Sequence, residues 1–203
     1  MTPALKRSAS GQALLTFGQG GVIHDLAYSP DGRSLAAGGM GGSLFVWDAL
    51  TGQPRLSAAA HQALVSGVAF SSDGRLLVSG SWDSTQKVWE LSSGQVISTF
   101  TGHTLGFGAG ITFSPDGLAV FSGGADGFAR QWQAASAEQI NEFSAEGREI
   151  YGLALSQDGR LLALGSPPPP PLPRALGYAV ARWGPAQGAL RWIVLLPAGW
   201  VVV

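Results

Sequence analysis

An all-β fold of repeated four-stranded units is predicted by three features of this sequence. An Asp-Gly pair recurs with its Asp at 31, 73, 116 and 158, a spacing of 42 to 43 residues. A Trp follows at 47, 89 and 132 in the same step, with no fourth. Short apolar runs lie between these markers, and no stretch of any length shows a helical period. A period of about 40 to 45 residues with four short strands per repeat is the signature of a propeller blade, and such blades normally close into rings of about four to eight. This chain carries three and a half. The predicted class is therefore a partial β-propeller of three full four-stranded blades plus a half blade, with an irregular Pro-rich C-terminal tail.

Residues 1–10 are expected to be disordered, 11–165 to form the partial propeller, 166–173 a Pro-rich linker, and 174–203 a tail of uncertain structure. Gly11 to Phe17 reads as an outer strand placed before the first full unit, the strand that completes the last blade of a closed ring, so the N-terminus reads as an authentic start. The second unit is the clearest. Residues 64–70 form a short buried strand, and Ser72-Asp73-Gly74 a turn in which Gly supplies positive φ. Residues 75–80 form the next strand, and Ser81-Trp82-Asp83-Ser84 a second tight turn. Thr85 to Glu90 alternates and contains Trp89, and Gly94 to Phe100 is the fourth strand. Gly52 to Ala58 and Ala137 to Phe143 match that last strand, as does Gly11 to Phe17. In the fourth unit one strand is expected near 150–155, a turn at Asp158-Gly159, and a second strand at 160–165.

Pro167 to Pro171 and Pro173 come next. Proline cannot donate to a sheet ladder and holds an extended path, so the third and fourth strands of this unit are expected to be absent. Trp192 to Val203 is uncharged but broken by Pro197 and Gly199, and at twelve residues it is shorter than the roughly 20 a membrane span needs. Three readings of the tail stay open: a shifted frame or misassembled gene, a linker followed by a sticky interaction segment, or a contact with a membrane surface. The proline run is also a candidate ligand for an aromatic-lined groove.

Charged residues are 12% of the chain and the net charge is −1, so no bulk field attracts nucleic acid. Residues 1–165 hold 13 acidic and 9 basic groups, whereas 166–203 hold Arg174, Arg182 and Arg191 and no acid. With no cysteine, disulfides, thiolate chemistry and Cys-based zinc sites are excluded. Lys6 and Arg7 are followed by no long apolar run, which argues against a secretory signal and leaves the cytoplasm as the default compartment. Gly38-Gly39-Met40-Gly41-Gly42 lacks the Lys and following helix of a phosphate loop.

The repeat resembles the WD-repeat family of β-propellers over about residues 11–165. The dipeptide behind that name occurs once, as Trp47-Asp48; the next two units read Trp89-Glu90 and Trp132-Gln133. The resemblance implies, within each blade, a hydrogen-bonded structural network of His, Ser or Thr, Asp and Trp. It falls on His61, Ser79, Asp83 and Trp89 in the second unit, and on His103, Ser122, Asp126 and Trp132 in the third. The first unit keeps only Trp47, with Gln19, Ala37 and Gly41 at the polar places. The fourth has Glu146 and Leu164 and no later partners. The chemistry is coherent: a buried indole N–H needs an acceptor, a hydroxyl can accept and donate onward, and a His can link it to a carboxylate. A satisfied network rigidifies a sheet and a half-satisfied one is costly.

His, Asp and Ser together also suggest hydrolysis, but a set recurring at the blade period beside a Trp and a Gly turn reads as structure. No catalytic residue, cofactor site or metal site is therefore expected; His24 reads as a surface or satisfied histidine on a strand. The function expected is a non-catalytic protein–protein interaction or scaffold module. The alternatives are a truncated or frame-shifted propeller fragment without independent function, and an enzyme using channel-lining residues. By the resemblance, the residue just before each blade's turn Asp faces the partner, which makes Trp82, Met40 and Ala125 the candidate partner-binding residues. The expected partner is a protein and no nucleic acid; self-association through unclosed blade faces is a further option, and membrane contact is disfavoured.

Overall fold

Ser-x-Asp-Gly is the local device that starts every unit. In the computed structural model, which describes residues 21–106, 110–145, 147–166, 179–183, 191–196 and 199–202, the four turns are near copies. The Ser hydroxyl donates to the Asp carboxylate in Ser29–Asp31, Ser71–Asp73, Ser114–Asp116 and Ser156–Asp158 at 2.5–2.6 Å. The same carboxylate accepts the backbone N–H two residues on, at Arg33, Arg75, Leu118 and Arg160. Gly32, Gly74, Gly117 and Gly159 follow with φ of +69° to +73°, a region open to glycine and costly for other residues. The Ser hydroxyl and the backbone N–H hold all four Asp carboxyls below the usual carboxylate range.

Each turn joins two strands of an antiparallel meander. The first sheet is β1 (Ile23–Tyr28), β2 (Ser34–Gly39), β3 (Ser43–Asp48) and β4 (Pro54–Ala59). The second is β5 (Val65–Phe70), β6 (Leu76–Ser81), β7 (Gln86–Glu90) and β8 (Gln95–Phe100). The third is β9 (Gly110–Phe113), β10 (Ala119–Gly123), β11 (Phe128–Gln133) and β12 (Gln139–Ser144). Strands pair in chain order within each sheet. A register shift recurs beside each Trp, at Val46/Trp47, Val88/Trp89 and Gln131/Trp132; such a bulge sharpens the local twist.

The half blade is present as β13 (Gly152–Leu155) and β14 (Leu162–Ser166). The sheet does not end there. β15 (Ala179–Trp183), β16 (Arg191–Leu196) and β17 (Gly199–Val202) continue it, all antiparallel. This corrects the expectation that the third and fourth strands are missing. The segments that supply them are rich in Val, Ile, Trp and Leu, residues that suit a pleated sheet, although they share no repeat register with the earlier units. The Gly11–Phe17 strand, the expected disorder of residues 1–10, and the proline run lie outside the described residues.

Packing between sheets follows the two-residue strand period. Leu77 and Trp89 are cross-strand partners and face the first sheet, where they pack with Ala36, Leu44 and Val46. Val78 and Val88, one residue over, face the third sheet and pack with Phe113, Val120 and Trp132. Phe121 and Ala129 repeat the step toward Leu162 and Leu164 of the fourth sheet. Close approach is built in where β2 meets β5: a Cβ at Gly38 would lie 2.4 Å from the Val65 side chain. The stack is open at its first sheet, where Leu26 and Tyr28 of β1 are exposed, while Val68, one period after Leu26, is buried against the first sheet. The architecture is a partial, unclosed propeller.

One turn carries avoidable strain. Ser84 has φ +69°, where the equivalent Gly42 and Gly127 have +75° and +79°. A left-handed non-glycine residue costs about 1–2 kcal/mol, and glycine loses about 0.5–1 kcal/mol in extra unfolded-chain entropy. Ser84→Gly should therefore raise stability by about 0.5 kcal/mol, read as a higher urea midpoint with unchanged m-value.

Candidate functional site

The polar set of the second unit is drawn from four places. His61 lies in the link before β5, Ser79 on β6, and Asp83 in the β6–β7 turn, with Trp89 on β7 opposite Leu77. Trp89 Nε1–H donates to Ser79 Oγ at 2.9 Å. Ser79 Oγ lies 2.9 Å from His61 Nε2. His61 Nδ1 faces Asp83 Oδ2 at 3.2 Å and Thr85 Oγ1 at 3.0 Å. Asp83 also accepts the Gln62 N–H and both the N–H and hydroxyl of Thr85. One tautomer serves every contact: His61 Nδ1–H toward the carboxylate, Nε2 accepting from Ser79, and Ser79 accepting from the indole. Burial pushes the His61 pKa down and outweighs the attraction of Asp83. Burial raises the Asp83 carboxyl, but hydrogen bonds from Thr85 and the Gln62 N–H outweigh it and hold the group below its usual range.

The third unit brings together the same residue types with a different outcome. His103 Nε2 lies 2.9 Å from Ser122 Oγ, and Nδ1 lies 3.0 and 3.1 Å from the two Asp126 oxygens. Arg130 on β11 enters the set. Its Nη1 is 2.7 Å from both His103 Nδ1 and Asp126 Oδ2, and its Nε donates to Glu142. Arginine can only donate, so a neutral Nδ1 serves Asp126 as donor or Arg130 as acceptor, not both. Trp132 is buried, and its Nε1 has no hydrogen-bond partner among the described residues. This corrects the expectation that Trp132 closes the network with Ser122. The indole instead stacks on Phe100, centroids 5.1 Å apart. Burial lowers the His103 pKa against the pull of Asp126, and Arg130 lowers it further.

The first unit has no such set: Ala37 and Gly41 stand at the Ser and Asp places, and Trp47 stacks on Phe45. Leu164 is buried in the cluster between the third and fourth sheets. Gln19 and Glu146 lie outside the described residues. Arg130, Thr85 and Lys87 were not singled out from the sequence. Asp83-Ser84-Thr85 is a short-range signal for Thr85, since Asp commonly accepts from the residue two on. Lys87 and Arg130 pair with Ser79 and Ser122 across the sheet, so a cation at that repeat position was a usable signal. Lys87 Nζ donates to the Ala60 carbonyl at 2.7 Å.

Met40, Trp82 and Ala125 sit at equivalent turn positions. Met40 and Trp82 are 59% and 43% exposed, and Ala125 is half-buried. His24 is exposed on β1. Among the described residues no group of three or more His, Cys, Asp or Glu is placed to hold a metal ion.

The fold matches solved structures across 87% of the chain. Against the WD40 repeats of RRP9 the TM-score is 0.75 at 22% sequence identity, and against U3-55K it is 0.76 at 21%. The chain spans 52% and 53% of those two chains, about half their length. No curated protein sequence matches it. These structural matches overturn two expectations, that nucleic acid is excluded as a partner and that the protein is cytoplasmic. The physical error in the first lay in reading a surface from a net charge, which averages over exposed turn residues such as Arg33, Arg75 and Arg160. The second rested on a default compartment alone. The WD domain, G-beta repeat family matches residues 11–48, 52–90 and 94–133, more than half of the chain, and the chain belongs to that family.

Proposed function

We propose that this chain is a non-catalytic interaction module whose binding rim carries Met40, Trp82 and Ala125, with the His–Ser–Asp sets acting as internal ties. The observation that carries the reading is the exposed Trp82 indole at a repeated turn position. Exposed tryptophan is a strong anchor for binding energy because it buries a large area at low entropic cost. The ties support it from below. Asp83, the next residue, is fixed by Gln62, Thr85 and His61, so the turn is held before any partner arrives, which lowers the ordering cost of binding. The buried histidines are the wrong place for hydrolysis, since each is enclosed by groups that already use its nitrogens.

Affinity capture with cross-linking tests the reading. Trp82→Ala should remove a defined subset of captured partners and leave the unfolding free energy from urea titration within about 0.5 kcal/mol of the parent. Capture identical to the parent, at equal stability, would mean the rim is not the binding face. A second reading has the same indole stacking an unpaired base, worth about 1–3 kcal/mol per base in other proteins; its sign is capture that depends on Trp82 and is lost after ribonuclease treatment.

A further inference from the structure

The cleft between the first and second sheets differs from its counterpart one blade later. We propose that it binds the carboxyl end of an extended peptide whose last residue is apolar. This site lies at the Asp-Gly turn edge, and it stands or falls separately from the Trp82 rim.

At the second-to-third junction the edge is tied shut. Ser98 on β8 donates to the Ala134 carbonyl at 2.5 Å. The residues at the same repeat positions in the first junction are Leu56 on β4 and Leu91 after β7. Leucine has no hydroxyl to make that bond. A cavity of about 610 Å³ is present there, with Val46, Leu56, Leu76 and Leu91 among its lining. That volume lies in the range of about 300–1,000 Å³ typical of ligand sites.

Charge at the mouth selects the ligand. Arg55 is already used: it donates to Asp48 at 2.5 Å and to Ser34 at 2.8 Å. Arg75 also lines the cavity, and its exposed guanidinium has no hydrogen bond or ion pair among the described residues. At the next junction the corresponding residues are Leu118 for Arg75 and Gln133 for Glu90, so a cation over an apolar floor is a feature of the first junction. Guanidinium pairs with carboxylate in a two-bond fork. Asp73 and Glu90 also line the cavity. They repel a second negative charge, which disfavours phosphate-bearing ligands. Asp73 Oδ1 accepts the Ser71 hydroxyl and the Arg75 N–H, and Glu90 Oε2 accepts the Ser93 hydroxyl; the second oxygen of each carboxylate can accept from N–H donors. A peptide supplies those donors beside its terminal carboxylate, and a fatty acid does not.

The test is fluorescence anisotropy with the peptide Ser-Gly-Ser-Gly-Ala-Leu, labelled at its N-terminus, as free acid and as terminal amide. The acid should bind at least about tenfold more tightly than the amide, a difference typical of one lost charged contact. Arg75→Gln should reduce the acid to the level of the amide. Leu56→Ser, which places at this junction the serine found at the next, should weaken the acid about tenfold, with thermal midpoints confirming that both variants fold. Trp82→Ala should leave acid binding unchanged. Equal affinity for acid and amide, no binding at millimolar acid, full binding by the Arg75→Gln variant, or dodecanoate competing as well as the peptide each overturns the proposal.

Discussion

Asp126→Ala will destabilise this protein by about 3–5 kcal/mol, the cost of leaving a buried charge without its partner. The side chains of Asp126 and Arg130 are 3% and 7% exposed, and Arg130 Nη1 sits 2.7 Å from the carboxylate. Removing the carboxylate strips Arg130 of its buried counter-ion and leaves it Glu142, whose side chain is 40% exposed. It also frees the Thr104 and Phe128 N–H groups. The equivalent change at Asp83 will cost less, about 1–3 kcal/mol, because its histidine partner is neutral and no buried cation depends on it. Against a total stability of roughly 5–15 kcal/mol, the first change puts the protein near its unfolding threshold. Urea denaturation measures both, and a double-mutant cycle separates the causes. Arg130→Met added to Asp126→Ala should restore more than half of the loss, since an ion pair replaced by an apolar residue is often neutral. If the two Asp substitutions cost the same and Arg130→Met restores nothing, the guanidinium is not the dependent group.

That asymmetry between two like motifs shows what the sequence could and could not convey. Local devices were legible. The Ser-x-Asp-Gly turn is set by residues within five positions of one another, so its repeat at 42 to 43 residues located the strands on either side of it. The Trp positions were legible from their spacing, and the two-residue period places Trp89 and Trp132 on the face toward the preceding sheet. The partner of a buried donor was not legible. Ser79 and Ser122 occupy the same place, yet Trp89 reaches its serine and Trp132 does not; likewise Arg130 turns into one set while Lys87 reaches out to the Ala60 carbonyl in the other. A choice of that kind depends on side chains brought together from three elements. The strands β15 to β17 were illegible for a different reason: pairing to a sheet edge needs apolar, β-favouring segments but no repeat register, and these three segments follow a proline run without any register to mark them.

Acidification below about pH 6.5 will lower stability, and the two buried histidines will supply most of the slope. Two forces oppose each other at each ring. Burial disfavours the imidazolium, and Asp83 or Asp126 favours it; burial prevails at both, with Lys87 and Arg130 adding to it. The folded-state pKa therefore lies below the unfolded value of about 6.5. As pH falls, the unfolded chain takes up the proton first, so ν for the unfolded state exceeds that for the native state and unfolding gains free energy. The limit is about 1.4 kcal/mol per pH unit for each histidine, and the loss continues until the folded rings titrate. The turn carboxylates at Asp31, Asp73, Asp116 and Asp158 act later. Their pKa values are depressed, so their contribution is intact above about pH 4 and is lost only as pH falls through the lowered values. Urea midpoints between about pH 7.5 and 4.5 should therefore fall before the carboxylates titrate, and His61→Phe should roughly halve the slope whatever its effect on the midpoint at neutral pH. A midpoint that rises on acidification would show the opposite balance: a carboxylate strong enough to hold an imidazolium in the core, and a network that is an ion pair and not a chain of neutral hydrogen bonds.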